Sequence, residues 1–153
     1  ESARIDVQER IGFRAFRIKT GRSDDLDISF SHRIPVNLKV SGDESDMRID
    51  ARRMVLEKLE VFSEEGRVRI FTPDRAGATR ISLAGDEADF RLYLPSGTGL
   101  KVTGASEDIG RLLKRLELLE VSGDFVTDGF DSLTTRVELM LGKDISQLAI
   151  EHY

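Results

Sequence analysis

The chain has 153 residues and no cysteine, so it fits a single domain that folds without disulfides and has no thiolate metal site. Charged residues make up 33% of the sequence, but the net charge is only −5 and the two signs are interleaved, which argues against a nucleic-acid-binding surface. No apolar run approaches the roughly 18 residues that a membrane span needs, so this chain is expected to be soluble by itself.

The first predicted elements lie in residues 1–33, where short apolar–polar alternations flank a polar stretch at residues 20–25. A period of two places one set of side chains on a buried face and the other set in solvent, which is typical of β-strands. We expect these N-terminal strands to cap the rest of the domain. The alternating apolar residues are Phe16, Ile18, Leu26, Ile28 and Phe30.

An internal repeat follows from position 34 onward. The segments Leu38–Asp50, Leu59–Phe71 and Ile81–Tyr93 align at offsets of 21 and 22 residues, and each resembles a strand, an acidic turn and a second strand. A weaker fourth copy keeps the same internal spacing. The apolar residues in register are Leu38, Leu59 and Ile81, then Val40, Val61 and Leu83, then Met47, Val68 and Phe90, then Ile49, Ile70 and Leu92, with Leu139, Leu141, Leu148 and Ile150 in the fourth copy.

This repeat predicts an all-β fold. One strand–turn–strand unit cannot bury its apolar face, whereas stacked copies supply successive layers to one core. Coils of about 21 residues suit two or three short strands each. The sequence therefore predicts a short β-solenoid of one domain, with capping strands in residues 1–33 and stacked coils in residues 34–153. A β-sandwich is the alternative, because strands joined by short turns also fit it.

Stacking would bring three rows of charged residues into register. The row Asp46, Arg67 and Asp89 alternates in sign, so its neighbours attract and specify the register. Acidic turns form the second row, and we interpret them as solvated corners, with a Ca²⁺ site as the less favoured alternative because no dedicated calcium loop is present. The acidic residues in register are Asp43, Glu64 and Asp86, then Glu44, Glu65 and Glu87.

The third row is the candidate binding site. Arg48, Arg69 and Arg91 would lie side by side although like charges repel, and Phe71 and Tyr93 would stack beside them. Guanidinium groups and aromatic rings together suit an anionic or sugar ligand. The competing interpretation is a solvated face that holds only local ion pairs.

The segment around residues 109–116 breaks the strand pattern, because its leucines and isoleucine have helical spacing. One interpretation is a short helix or strand packed on the core. The other is a protruding amphipathic segment that docks on a partner. The apolar residues concerned are Ile109, Leu112, Leu113 and Leu116.

Catalytic motifs are not evident. His32 and His152 have no partner at metal-ligand spacing, and the sequence has no Gly-x-Ser-x-Gly motif. The glycine-rich stretch 96–99 lacks the lysine of a phosphate loop and is interpreted as a turn. The sequence therefore predicts no enzyme, no cofactor and no metal ion. A polysaccharide-cleaving enzyme is the least favoured alternative, because arginines would keep the outward acids ionised; these acids are Asp46, Asp50 and Asp89.

The order of several motifs resembles a known family. These motifs are the runs at 34–38 and 59–61, the pair Gly85 and Asp86, the phrase at 92–102 and the closing segments at 136–139 and 148–151. Together they resemble the bacterial toast-rack, or putative adhesin, family over roughly residues 34–153. The closest likeness is to the C-terminal domain of LiaF-like proteins of the cell-wall-active antibiotics response.

The resemblance implies a single-stranded right-handed β-helix without catalytic residues. It also implies a regulatory interaction domain of a membrane-associated envelope protein, with a sensor kinase, another envelope protein or a cell-wall polymer as its partner, on an undetermined side of the membrane. The chain departs from the family in having no membrane helices and in having Ser63 and Ser106 in place of turn glycines. An adhesin or carbohydrate-binding module is the main alternative, and incomplete caps would permit homo-oligomers through exposed strand edges.

Overall fold

The computed structural model describes the backbone of residues 3–9, 17–20, 26–29, 35–44 and 46–153, and the side chains of residues 35–42 and 46–153. These ranges are mostly β-strand, with one α-helix and one short 3-10 turn. In chain order the elements are β1 (Ala3–Glu9), β2 (Arg17–Thr20), β3 (Leu26–Ser29), β4 (Pro35–Glu44), β5 (Met47–Asp50), β6 (Val55–Glu65), β7 (Arg67–Phe71), β8 (Gly77–Ala84), β9 (Asp89–Leu94), β10 (Gly99–Thr103), α1 (Glu107–Arg115), β11 (Leu119–Val121), β12 (Asp124–Val126), the 3-10 turn (Phe130–Ser132), β13 (Thr135–Leu141) and β14 (Gln147–His152).

The strands form two main sheets and one hairpin. The first sheet has eight strands in the order β1, β4, β6, β8, β13, β10, β12, β11, and the second has four strands in the order β14, β9, β7, β5. Pairing is parallel from β4 through to β10 in the first sheet and throughout the second. β1 pairs antiparallel with β4, and β2 and β3 pair antiparallel as a separate hairpin. The all-β prediction is confirmed at this level.

The predicted register of the repeat is confirmed. Met47 pairs with Val68, and Val68 with Phe90, in the four-stranded sheet. In the eight-stranded sheet Leu59 is paired on both sides with its predicted counterparts, Leu38 and Ile81. These matched side chains are buried and form successive layers of one apolar core.

The fourth copy also has the predicted register, but its position departs from chain order. Leu139 pairs with Ile81 and Leu148 with Phe90. β13 nevertheless lies between β8 and β10, although β10 precedes it in the sequence. The C-terminal strands therefore stack on the third copy, and β10 extends the first sheet beyond them.

A tight corner joins the two sheets at Ser63. Ser63 is fully buried, and its hydroxyl donates a hydrogen bond to the carbonyl oxygen of Glu65 at 2.8 Å. In the next layer Gly85 has a φ of +148°, and a Cβ built on it would lie 1.7 Å from the carbonyl oxygen of Ser63. Serine thus fits one layer of this corner, whereas the adjacent layer leaves no room for any side chain.

The segment after β10 forms helix α1, packed on the core. Ser106 is the N-cap, because its hydroxyl accepts a hydrogen bond from the Ile109 amide at 3.4 Å, which explains a serine here. Ile109 and Leu113 are buried, and Gly110 allows the ring of Phe125 to approach the helix backbone. The interpretation as a short helix on the core is confirmed. Within the described ranges, no helix combines the length and apolar character that crossing a bilayer requires.

Candidate binding face on the four-stranded sheet

The candidate site lies on the side of the four-stranded sheet that faces away from the core, called the outer face here. Alternation along β5, β7 and β9 buries one set of side chains and turns the other outward. The outward arginines are in register, because Arg48 pairs with Arg69 and Arg69 with Arg91. The predicted arginine row is therefore brought together.

Arg91 and Arg67 share one carboxylate. Arg91 donates two hydrogen bonds to Oδ2 of Asp89, each at 3.1 Å, and the Arg67 guanidinium lies 3.6 Å from the same oxygen. The Arg67 amide also donates to a carboxylate oxygen of Asp46 at 3.0 Å. The predicted row of alternating charges therefore makes direct contacts, and Arg91 at one end of the arginine row is neutralised.

Arg48, at the other end of the row, is neutralised more loosely. Its guanidinium lies 3.8 Å from Asp50, which also accepts a hydrogen bond from Nε of Arg52 at 2.8 Å. The Arg52 hydrogen bond is the main reason that the pKa of Asp50 lies below its ordinary value. A carboxyl group held ionised in this way is unsuited to the proton-donor role of a glycosidase.

Arg69, in the middle of the row, is left without a counter-charge. Among the described side chains it makes no ion pair, and its Nε is shielded from solvent with no hydrogen-bond acceptor. Its neighbours in register on both sides are arginines. A positive charge between two like charges and without a carboxylate partner is unfavourable, so an anion bound at the exposed end of this guanidinium would be stabilising.

The aromatic pair lies beside the row as predicted. The rings of Phe71 and Tyr93 stack with centroids 4.4 Å apart and planes 7° from parallel. The guanidinium of Arg48 lies over Phe71 at 4.6 Å from the ring centroid. Since β5 and β9 flank β7 on opposite sides, the two faces of Phe71 are already covered. This ring is therefore a packed part of the face and offers no free surface for stacking a sugar.

Two further residues complete the face and were not predicted. Arg52 pairs with Asp50 and also lies 5.3 Å from the centroid of Phe71. Tyr153 lies 6.3 Å from Phe71, and its hydroxyl donates a hydrogen bond to the carbonyl oxygen of Thr72 at 2.8 Å. Extending the alternation of the fourth copy by two residues beyond Glu151 would have identified Tyr153. Arg52 follows β5 in a turn, where strand periodicity gives no signal.

The eight-stranded sheet provides a contrast, because two of its outward cations, Arg80 and Lys39, are paired. Arg80 lies 3.9 Å from Glu138, and Lys39 lies 3.8 Å from Glu60. Both pairs are exposed and each contributes little to stability. Arg136 on β13 is an exception in this sheet, because its Nε also lacks an acceptor and, among the described residues, its guanidinium contacts only the carbonyl oxygen of Asp131, at 3.5 Å. Arg80, which has a carboxylate partner, is therefore a matched reference for Arg69.

The described residues do not bring the other predicted site residues together. The acidic turn residues Glu64, Glu65, Asp86 and Glu87 are exposed, while the side chains of Asp43 and Glu44 lie outside the described part. No group of three or more carboxylate or imidazole side chains converges among the described residues. His152 is exposed at the end of β14, and His32 lies outside the described residues.

Comparison with protein-family models and with curated proteins found no match to this sequence. Comparison with solved structures found a likeness to a putative cell adhesion protein from Clostridium sporogenes. The match covers 99% of this chain and 76% of that chain, with a TM-score of 0.59 and 11% sequence identity. At this identity the likeness establishes a shared fold alone.

Proposed function

We propose that the chain is a non-enzymatic binding domain whose outer face binds an anionic polymer of the cell surface, with Arg69 at the centre of the site. The observation that carries this proposal is the missing counter-charge of Arg69 on a face where the neighbouring arginines are paired. The structural neighbour is a putative cell adhesion protein, and a polymer-binding face is one way to perform such a role.

We also propose that the fold is a short right-handed β-solenoid. Parallel, in-register pairing of the copies in two sheets supports a short right-handed β-solenoid, since parallel strands need crossover connections and these are almost always right-handed. A β-sandwich is the alternative. In a solenoid, equivalent residues of successive coils lie about 4.8 Å apart, so the arginine row would follow the long axis of the domain. A linear ligand could then lie along that axis.

The ligand chemistry follows from which groups are free. The faces of Phe71 are covered, so this ring is not free to stack on a neutral sugar. The exposed end of the Arg69 guanidinium can still donate hydrogen bonds to a carboxylate, sulfate or phosphate group. The outer face also holds slightly more positive than negative groups, because five arginines (48, 52, 67, 69 and 91) accompany four carboxylates (Asp46, Asp50, Asp89 and Glu151). We therefore propose a polyanion as the ligand.

Substitution of Arg69 tests this function directly. Polygalacturonate, polyphosphate and dextran sulfate serve as carboxylate, phosphate and sulfate probes, with neutral dextran as the uncharged control, and binding is measured by calorimetry. We expect at least one polyanion to bind and Arg69→Ala to weaken it about 10- to 100-fold, the range for losing a charged hydrogen bond. Arg80→Ala removes an exposed arginine from the other sheet and should change affinity less than twofold.

Two results would contradict the proposal. One is binding that Arg69→Ala and Arg80→Ala weaken equally, since that would indicate a diffuse attraction to positive charge. The other is the absence of binding to all three polyanions at low salt, where surface electrostatics are strongest.

A regulatory role is the second candidate. The resemblance of residues 34–153 to LiaF-like proteins suggests a membrane-associated envelope protein that restrains a sensor kinase. The stacked copies support the fold which that resemblance implies. Retention of a partner kinase by the intact protein, together with unchanged binding in Arg69→Ala, would favour this role over polymer binding.

A further inference from the structure

The last strand of the eight-stranded sheet, β11, has an edge that no described strand covers. All three residues of β11 are exposed, and the exposed fractions of Leu119 and Val121 reach 50% and 54%. Edge strands of stable monomers commonly carry charged side chains that discourage pairing with other chains. Here the two side chains that share one face of the strand are apolar instead, which is typical of an interaction surface.

The backbone of this edge has a free donor and acceptor. β11 and β12 are joined by a two-residue turn, with φ of 52° at Ser122 and 89° at Gly123, and Val121 pairs with Asp124. In such a hairpin the pair next to the turn is hydrogen-bonded, so the N–H and C=O of the next residue, Glu120, point away from β12. No other described strand pairs with β11.

The surface beside the edge combines apolar side chains with acidic ones. A groove there is lined by Leu119, Val126 and Phe130 together with the loop at 127–132. Asp128 and Asp131 lie in this loop, are exposed, and make no ion pair among the described side chains, although the Arg136 guanidinium donates a hydrogen bond to the carbonyl oxygen of Asp131 at 3.5 Å. The charge of Glu120 is already neutralised by Lys114 at 2.7 Å. The groove therefore favours a ligand that is both apolar and positively charged.

We propose that this edge and groove bind an extended segment of another protein, with alternating apolar and basic residues, which adds to β11 as a ninth strand. Strand addition uses the free backbone groups of Glu120 for affinity and the groove for side-chain selection. Pairing of two copies through β11 would instead bring the unpaired acids of both chains together, which disfavours a second copy as the occupant. This inference concerns a different surface from the outer face and does not depend on the polymer-binding proposal.

A nine-residue labelled peptide that alternates valine and lysine tests the proposal against the intact chain. We expect binding in a fluorescence-anisotropy titration and slower hydrogen exchange of the Glu120 amide in the complex. The double substitution Asp128→Asn and Asp131→Asn should weaken binding about fivefold, as expected for losing two exposed ion pairs. Met140 is 56% exposed on β13, three strands away, so Met140→Thr is the matched control and should leave the affinity unchanged.

Four results would contradict the proposed strand addition. No binding of the lysine peptide, equal binding of a peptide that alternates valine and glutamate, or unchanged exchange at Glu120 would each overturn the proposal. Dimerisation of the unliganded chain that Val121→Lys abolishes would assign the edge to a second copy and would also overturn it.

Discussion

At the scale of single residues, Arg69 has the least favourable environment on the outer face. Two unit charges at 4 Å interact by about 1 kcal/mol in water, so a row of arginines is tolerable only where solvent or carboxylates screen it. Asp50 and Asp89 screen the two ends of the row. A bound anion would relieve the remaining repulsion at Arg69, which is the energetic basis of the proposed site.

The corner between the sheets depends on the absence of one Cβ. Gly85→Ala would place a methyl group against the Ser63 backbone, where an ideal Cβ lies 1.7 Å from the carbonyl oxygen. We expect a loss of about 3 kcal/mol or more in the free energy of unfolding, because backbone must shift and a positive φ must also be maintained. Urea denaturation of the purified variant measures this loss.

Gly97→Ala is the matched control for this substitution. Gly97 has a φ of +80°, but nothing lies within 4 Å of the position that an added methyl group would take, so only the conformational cost of about 1 kcal/mol is expected. Equal destabilisation by the two substitutions would contradict the account of the corner.

At the scale of elements, the C-terminal strands connect the core to the outer face. β13 lies between β8 and β10, and β14 pairs with β9. Tyr153 directly follows β14, and its amide donates a hydrogen bond to the carbonyl oxygen of Leu94 at 2.9 Å. Burial raises the pKa of the Tyr153 hydroxyl, which is consistent with its hydrogen bond to Thr72 in a partly covered position.

Tyr153→Phe should therefore weaken the attachment of β14. The lost hydrogen bond corresponds to about 1 kcal/mol at neutral pH, less if water replaces it. Because the folded-state pKa is raised, the tyrosine's contribution is complete below the unfolded pKa of about 10 and is lost as the pH rises through the folded value. Wild-type stability should thus fall more steeply above pH 10 than that of Tyr153→Phe, as measured by urea denaturation at pH 7 and 10.5.

Tyr93→Phe provides the comparison for the lost hydrogen bond. The Tyr93 ring is stacked on Phe71, but its hydroxyl makes no hydrogen bond within the described residues. Its removal should change the neutral-pH stability less than Tyr153→Phe does. Identical pH dependence of the wild type and Tyr153→Phe would contradict the role assigned to the Tyr153 hydroxyl.

The sequence predicts which residues pair across adjacent strands better than it predicts which strands are adjacent. Spacing alone places Leu139 opposite Ile81 and Leu148 opposite Phe90, because matched apolar periods must face the same core. It does not predict that β13 lies between β8 and β10, since any strand of the right period could occupy that position. The arginine row and the aromatic stack follow from register, whereas the covering of Phe71 by Arg48 depends on side-chain conformation that periodicity does not encode.

At the scale of the whole molecule, charge is distributed unevenly. The chain carries a net charge of −5, yet the outer face has five arginines against four carboxylates, while the groove beside β11 has unpaired acids. The two proposed surfaces therefore select ligands of opposite charge. Their electrostatic contributions should both weaken as salt is added, because the groups concerned are largely exposed.

Nitrogen–proton NMR of the arginine side chains gives the most direct test of the proposed polymer site. The Nε–H signals of Arg69 and Arg80 can be followed while the intact chain is titrated with the best-binding polyanion. We predict a saturable chemical-shift change of the Arg69 signal, with the Arg80 signal unchanged. Equal shifts at both residues, or a shift at Arg80 alone, would contradict a binding site centred on Arg69.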